Sequence, residues 1–164
     1  MDITYQSAVV FCQGISASRH FYEDLLGQEV EMDVGPSIGF KGGFGLWQAD
    51  HAVQTIHERA PEDTESLGRA KHELYFETMD LETASTRLSE GSVEFVHPLR
   101  EQPWCQRVLC VYDPDRHIVE VGEPMPAVIA RLLGEGLSVE AVVEQTGMPI
   151  EVVKQVAATH SWAA

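Results

Sequence analysis

The chain has 164 residues, which is enough for one compact domain or two small fused modules with a buried core. Its 26 acidic and 11 basic side chains give a formal net charge of -15, so the protein repels nucleic-acid phosphates and anionic lipid headgroups alike. The composition therefore argues against nucleic acid and membranes as partners.

The three cysteines, Cys12, Cys105 and Cys110, lack C-x-x-C spacing and lie in or beside apolar, strand-like runs. We interpret them as buried free thiols, which suits a reducing cytosol. The sequence begins MDITYQS, without a basic or long apolar leader, and it contains no run of about 18 apolar residues. We therefore expect a soluble, cytoplasmic protein.

The first half predicts a strand, a helix and three further strands. Residues 7–12 (SAVVFC) form an apolar, strand-like run. Ser16 can cap a helix that continues through Leu26, because Gly27 is a typical C-terminal stop. Three short segments separated by glycine-containing turns follow, and they predict strands at residues 29–34, 37–41 and 44–48.

The second half repeats this order after a polar, acidic segment at 49–71, which we interpret as a linker that could include a turn of helix. Glu73 begins an alternating strand-like run, and Asp80 can cap a helix that Gly91 ends. Three predicted strands follow at residues 93–97, 107–112 and 117–121. Such a repeat is a strong sign of fold, because neither half could cover its own apolar face alone.

The segment YDPDRHIVEV predicts a tight turn between the last two strands. Pro114 has the backbone angle that a turn requires, and the flanking aspartates can bind nearby amides. Glu120 then stands among branched apolar residues. Because an ionised carboxylate is costly to bury alone, we expect Glu120 to face solvent, a cation, a donor or a working cavity.

From residue 125 the composition changes, and three short helices are predicted at 127–133, 138–146 and 149–159. The last two look like a small helix-turn-helix. Their surface carries Glu140, Glu144 and Glu151 against a single Lys154, so a phosphate-facing surface is missing. We favour a helical cap or dimer contact over DNA binding.

Two βαβββ units, the first with SRHFYEDLLG on its helix and the second ending in YDPDRHIVEV, resemble the vicinal oxygen chelate superfamily. This group includes glyoxalases, extradiol dioxygenases, fosfomycin-resistance proteins and bleomycin-binding proteins. The resemblance implies an α+β fold in residues 1–124, with modules of about 1–48 and 72–124 forming a curled sheet cleft. A helical extension occupies residues 125–164. The scaffold hosts lyases, isomerases, dioxygenases and non-catalytic binders, so the reaction stays open.

The resemblance also places the superfamily's four metal-ligand positions on this sequence. They fall on Ser7, on Trp47 or Gln48, on Glu73 and on Glu120, and only Glu120 carries the usual residue. Glu73 and Glu120 with Gln48 could hold Mg²⁺ or Mn²⁺ through oxygen atoms, whereas the histidine-rich site that Zn²⁺ or Fe²⁺ favours is not visible. His72 would join only in a shifted register. Glu120 is the candidate catalytic residue, as a metal ligand or general base.

Aromatic residues are the candidates for the cleft walls. PWCQR looks like a PWGQR segment common in these proteins, and it supplies Trp104; Phe11, Trp47 and Tyr75 fall on cleft-facing positions. Arg107 offers a guanidinium to an anionic ligand, although pairing with a nearby acid is equally consistent with the sequence.

Two functions follow from this pattern. One is a divalent-metal-assisted lyase, isomerase or dioxygenase acting on a small oxygenated molecule. The alternative is a metal-free protein that binds or sequesters a small molecule. The resemblance further implies a homodimer.

Overall fold

The structure, a computed structural model, describes residues 6–57 and 73–159. They fall into two compact units of three segments each. The first unit comprises the described part of Met1–Glu73 with Arg87–Glu94 and Tyr112–Ile118, and the second comprises Leu74–Thr86, Phe95–Val111 and the described part of Val119–Ala164.

The first half forms a four-stranded mixed sheet, sheet A, with strand order β1-β4-β3-β2. Strand β1 runs parallel to β4, and the other pairs are antiparallel. The strands are β1 (Ala8–Cys12), β2 (Val30–Asp33), β3 (Ser37–Phe40) and β4 (Phe44–Gln48). Between β1 and β2 lie α1 (Ile15–Arg19) and a π-helical turn (His20–Leu25), and α2 (Ala49–His57) follows β4.

One local prediction for this half is wrong. The first helix is capped by Gly14, whose carbonyl accepts from the Ala17 and Ser18 amides, so Ser16 lies inside the helix. The turn of helix expected in the linker is present, and α2 occupies the nine residues directly after β4. The core of the first unit is aromatic, with a fully buried Tyr22 between Phe40 and Phe44.

The second half forms sheet B, and its strand order β5-β8-β7-β6 repeats that of sheet A. Its elements are β5 (Glu73–Glu77), α3 (Leu81–Glu90), β6 (Phe95–Glu101), β7 (Arg107–Tyr112) and β8 (Ile118–Gly122). The Asp80 carboxylate accepts from the Thr83 amide and caps α3, as predicted. The predicted α+β fold with two βαβββ modules is confirmed.

Three helices end the described chain: α4 (Met125–Gly134), α5 (Val139–Thr146) and α6 (Ile150–Thr159). They share an apolar core that includes Ile129, Val142 and Val153. Ser138 caps α5, and Gly147 ends it in the left-handed conformation. None of the helices in 6–57 and 73–159 is long and apolar enough to cross a bilayer.

The Asp113–His117 turn belongs to the first unit and is fixed there by a buried hydrogen-bond network. Asp113 is 3% exposed, and its carboxylate accepts from the Tyr22 hydroxyl at 2.9 Å and from the His117 backbone amide at 2.8 Å. The His117 ring Nδ1 lies 3.0 Å from the same carboxylate, and the Asp115 amide donates to it at 3.0 Å. Asp115 in turn accepts from the Ser18 hydroxyl at 3.1 Å. The aspartates therefore serve the fold in this unit.

Candidate functional site

One face of sheet A carries the aromatic residues predicted from its first and last strands. The register pairs Phe11 with Trp47, and their rings meet edge to face at 6.2 Å. The indole of Trp47 donates to His51 Nδ1 at 2.8 Å. We call this surface the Trp47 face. Because side chains alternate along a strand, Gln48 points to the opposite side with the buried Leu46, away from Phe11 and Trp47.

The same sheet borders an apolar depression of about 360 Å³. Val9 and Met32 are 48% and 52% exposed there. Gly39 and Gly45 pair in its floor, and a Cβ on Gly45 would lie 2.7 Å from the Ile38 carbonyl oxygen, so that position requires glycine. The depression therefore offers mainly contact surface for apolar groups.

A polar face occurs on sheet B around Tyr75, which is 44% exposed. A Cβ on Gly122 would lie 3.1 Å from the Tyr75 hydroxyl oxygen, so the ring lies over this glycine. Glu120 shares the side of Gly122 by strand alternation, whereas Val119 and Val121 are buried on the other side. We call the surface that contains Tyr75, Glu120 and Gly122 the Tyr75 face. Glu73 follows the alternation of Tyr75 and is exposed.

Gln106 organises the hydrogen bonds of this face. Its side-chain amide nitrogen donates to the Glu123 carbonyl oxygen at 2.8 Å and to the Tyr75 hydroxyl at 2.8 Å. Its side-chain oxygen accepts from the Trp104 indole at 2.9 Å. The Tyr75 hydroxyl lies 3.1 Å from Glu77 Oε1. Trp104 and Tyr75 are thus joined through a single buried amide.

The electrostatics of the Tyr75 face are acidic. Burial, the hydrogen bond to Glu77 and the nearby charge of Glu120 raise the pKa of Tyr75 to about 12. The phenol is therefore neutral at physiological pH, and the carboxylates carry the charge.

Arg107 is not brought to this face. Its guanidinium lies 3.3 Å from Glu123 and 3.9 Å from Glu82 of α3, on the side of the sheet opposite Gln106. Glu123 also accepts from Arg131 of α4 at 2.8 Å. Burial works against the charge of Glu123, but the hydrogen bonds from Arg131 and Arg107 outweigh it and hold the pKa of this carboxyl below its usual value.

The same arginine ties the tail to the PWCQR segment. Arg131 donates to the Cys105 carbonyl oxygen at 2.6 Å, and Cys105 itself adopts a left-handed φ of 65°. Cys105 occupies the place of glycine in the PWGQR pattern, so this conformation is the one that glycine favours. Its side chain packs against the apolar core of the tail.

Sequence reasoning missed Gln106, Glu77 and Glu123. Gln106 stands inside PWCQR, beside the predicted Trp104, but no pattern shows that its amide spans three partners. Glu123 follows the last predicted strand and is held by Arg131. The sequence assigned Arg131 to a helical extension separate from the modules. Only tertiary contacts reveal both roles.

The residues that the structure describes do not supply a divalent-metal site. On the Trp47 face the first-module positions supply Ser7 and Trp47, neither a good ligand, while Gln48 points away. Within residues 6–57 and 73–159 no group of three or more His, Cys, Asp or Glu side chains is placed to hold an ion. His72, the alternative ligand, lies outside the described residues. Glu73 and Glu120 alone are fewer donors than a hard cation takes from a dedicated site.

A sequence model for the glyoxalase-like domain matches residues 5–126. The chain belongs to the glyoxalase-like family. Members of the wider superfamily bind small molecules, commonly dimerise and generally use divalent metals. A comparison with curated proteins found no match.

Several solved structures resemble this glyoxalase-like protein. A protein of unknown function from Agrobacterium tumefaciens str. C58 is 34% identical, with a TM-score of 0.70 over 76% of this chain and 96% of that one. A glyoxalase/bleomycin resistance protein/dioxygenase from Nocardioides is 22% identical, with a TM-score of 0.58 over 75% and 84%. The lactoylglutathione lyase of Agrobacterium tumefaciens is 19% identical, with a TM-score of 0.57 over 76% and 96%. The last two likenesses concern the fold alone.

Proposed function

We propose that this glyoxalase-like protein binds a small organic molecule on the Tyr75 face through protein groups alone, without a bound metal. One observation carries the proposal: two partly exposed aromatic side chains, Tyr75 and Trp104, are both hydrogen-bonded to the side-chain amide of Gln106. Small-molecule sites typically combine such apolar surfaces with a few fixed polar groups.

Glu120 is proposed to contact the ligand as an acceptor. The charge of Glu120 already acts on the Tyr75 hydroxyl, which supports a shared site. A metal-assisted lyase, isomerase or dioxygenase is the weaker candidate, because the first-module positions lack good ligands. Glu120 as general base and Glu73 as a further contact stay predictions.

The test uses a W47F/W162F variant, in which Trp104 is the only tryptophan of the chain. Its fluorescence is recorded against a panel of small aromatic compounds in EDTA, together with thermal unfolding. We expect quenching and a raised melting temperature with some of them, both lost in Tyr75→Leu. Stabilisation that requires a divalent cation and disappears in EDTA would contradict the proposal and favour the metal-assisted enzyme.

Two further properties are proposed from the family and the thiols. Cys12, Cys105 and Cys110 are thiols and not disulfides in the structure, which fits a reducing cytoplasmic compartment. We expect a homodimer because members of the superfamily commonly dimerise. The molar mass from light scattering tests this expectation. On the tail, Lys154 lies 3.6 Å from Glu151, an arrangement that gives little attraction for DNA.

A further inference from the structure

Arg131 of α4 lies beyond the glyoxalase-like match, which ends at residue 126. Its Nη2 atom donates to the Cys105 carbonyl oxygen at 2.6 Å and to Glu123 Oε1 at 2.8 Å. The same Glu123 oxygen accepts from the Arg107 backbone amide at 3.1 Å. Arg131 therefore holds the backbone on both sides of Gln106, directly at Cys105 and through Glu123 at Arg107.

The backbone that Arg131 contacts is a tight turn with one strained residue. The Cys105 amide donates to the Gln102 carbonyl oxygen at 2.9 Å, and the Gln102 amide donates to the Gln106 carbonyl oxygen at 2.8 Å. Within this turn the φ of Cys105 is 65°, a left-handed conformation that is unfavourable for a residue other than glycine. A charged donor on the Cys105 carbonyl oxygen stabilises the turn more than a neutral donor would.

The turn sets the positions of side chains on the Tyr75 face. Trp104 lies in the turn, and its indole donates to Gln106 Oε1 at 2.9 Å. The Gln106 side-chain nitrogen donates to the Tyr75 hydroxyl and to the Glu123 carbonyl oxygen, both at 2.8 Å. Glu123 thus accepts from Arg131 on its carboxylate and from Gln106 on its backbone. Removal of the guanidinium should loosen Trp104 and Gln106 together.

We propose that Arg131 is a positioning residue of the Tyr75 face, through which the helical tail sets the affinity for the small molecule bound there. This inference rests on the proposed function and adds the tail to that site as its support. A site whose side chains are fixed before binding loses less conformational entropy when the small molecule arrives. Arg131 Nε is buried and has no hydrogen-bond partner among the described residues, so the guanidinium is placed for its contacts at Nη2 although another donor stays unpaired.

The test uses the W47F/W162F protein as the parent, so that Trp104 alone fluoresces as tryptophan. Arg131→Met keeps the apolar stem and removes the donors. We expect this variant to show red-shifted Trp104 emission and faster quenching by acrylamide, in the absence of any other added compound. Arg131→Lys keeps the charge and can donate to the same two oxygens, so its emission and quenching should lie between those of the parent and Arg131→Met. It carries the comparison by itself if Arg131→Met does not fold.

Binding is measured in EDTA with three members of the aromatic panel: benzamide, benzoate and benzylamine, which are neutral, anionic and cationic. A probe that binds the parent should bind Arg131→Met roughly three to ten times more weakly, because two side chains must then be ordered on binding. Arg131→Lys should recover part of this loss.

Val153→Ala is the matched control for loss of stability. Val153 is fully buried in the apolar core of the tail, so the change leaves a cavity there and destabilises the tail without removing a side-chain hydrogen bond. At a temperature where circular dichroism shows every variant folded, we expect Trp104 emission and quenching as in the parent and an affinity within about twofold of it.

The outcomes distinguish this inference from the proposed function. Emission, quenching and affinity in Arg131→Met equal to those of the parent overturn the positioning role and leave small-molecule binding standing. Equal changes in Arg131→Met and Val153→Ala also overturn it, because loss of stability alone would then explain both. No binding of any of the three probes to the parent up to about 10 mM overturns the proposed function and the control of affinity by the tail together.

Discussion

Replacing Asp113 by asparagine tests whether the buried turn network holds the first unit together. The carboxylate is 3% exposed and accepts from the Tyr22 hydroxyl, the His117 and Asp115 amides and the His117 ring. Asparagine keeps the shape and one accepting oxygen, but its amide group meets donors where the second oxygen stood.

The magnitude follows from the bonds that this change removes. A hydrogen bond to a charged acceptor contributes about 1.5–3 kcal/mol, and such bonds are not additive within a network. The bonds to Oδ2 from the Tyr22 hydroxyl and the His117 ring lose their acceptor, while the ring also lies 3.1 Å from the retained Oδ1. We expect Asp113→Asn to lower the free energy of unfolding by about 3 kcal/mol. Tyr22→Phe, which removes one of these bonds, should cost about 1.5 kcal/mol.

The assay is urea unfolding followed by circular dichroism, with both single variants and the double variant. Because the two residues share one bond, the double variant should cost about 1 kcal/mol less than the sum of the singles. The surface control Asp24→Asn changes a carboxylate that is 63% exposed, and we expect it to cost less than about 0.5 kcal/mol. An Asp113→Asn loss as small as this control, or full additivity with Tyr22→Phe, would refute the network argument.

Two further predictions concern the second unit. The folded-state pKa of Glu123 lies below its ordinary value of 4.5, so the ionised carboxylate stabilises the fold above about pH 4.5 and this stabilisation is lost as pH falls through the folded-state pKa. Glu123→Gln should therefore cost about 2 kcal/mol at pH 7, with the difference from wild type shrinking toward pH 3; a pH-independent difference in urea unfolding would count against this. Gly122→Ala places a Cβ 3.0 Å from Gln106 Nε2 and 3.1 Å from the Tyr75 oxygen, so it should cost about 1–2 kcal/mol and shift Trp104 emission to the red. In the control Gly39→Ala, the added Cβ meets Met32 only at 3.6 Å, and unchanged emission in both variants would contradict the assigned contact.

The fold could be predicted from the sequence because each half shows the same alternation and stop signals. The strands Phe44–Gln48 and Arg107–Tyr112 begin and end where predicted. The predicted helix cap at Ser16 was wrong, because the backbone carbonyl of Gly14 accepts from the first amides of the helix and no side-chain cap is present there.

The site was only partly accessible from sequence. Strand alternation places Tyr75 with Glu120, and that much follows from period-two patterns. The direction of the Arg107 side chain cannot be predicted from strand alternation. Its partner Glu123 is held by Arg131, which lies on a helix beyond the repeated modules. The orientation of Gln106 likewise depends on three partners distant in the chain.

The Tyr75 face depends on a Gln106 amide that is fixed with its protons on Tyr75 and Glu123. NMR of the ligand-free, ¹⁵N-labelled protein measures this directly, with Gln106→Glu assigning the side-chain amide signals. We expect both Gln106 amide protons and the Trp104 indole proton to exchange with water more slowly than those of an exposed side chain. Exchange of the Trp104 indole proton or of the Gln106 amide protons as rapid as in an exposed side chain would contradict this arrangement.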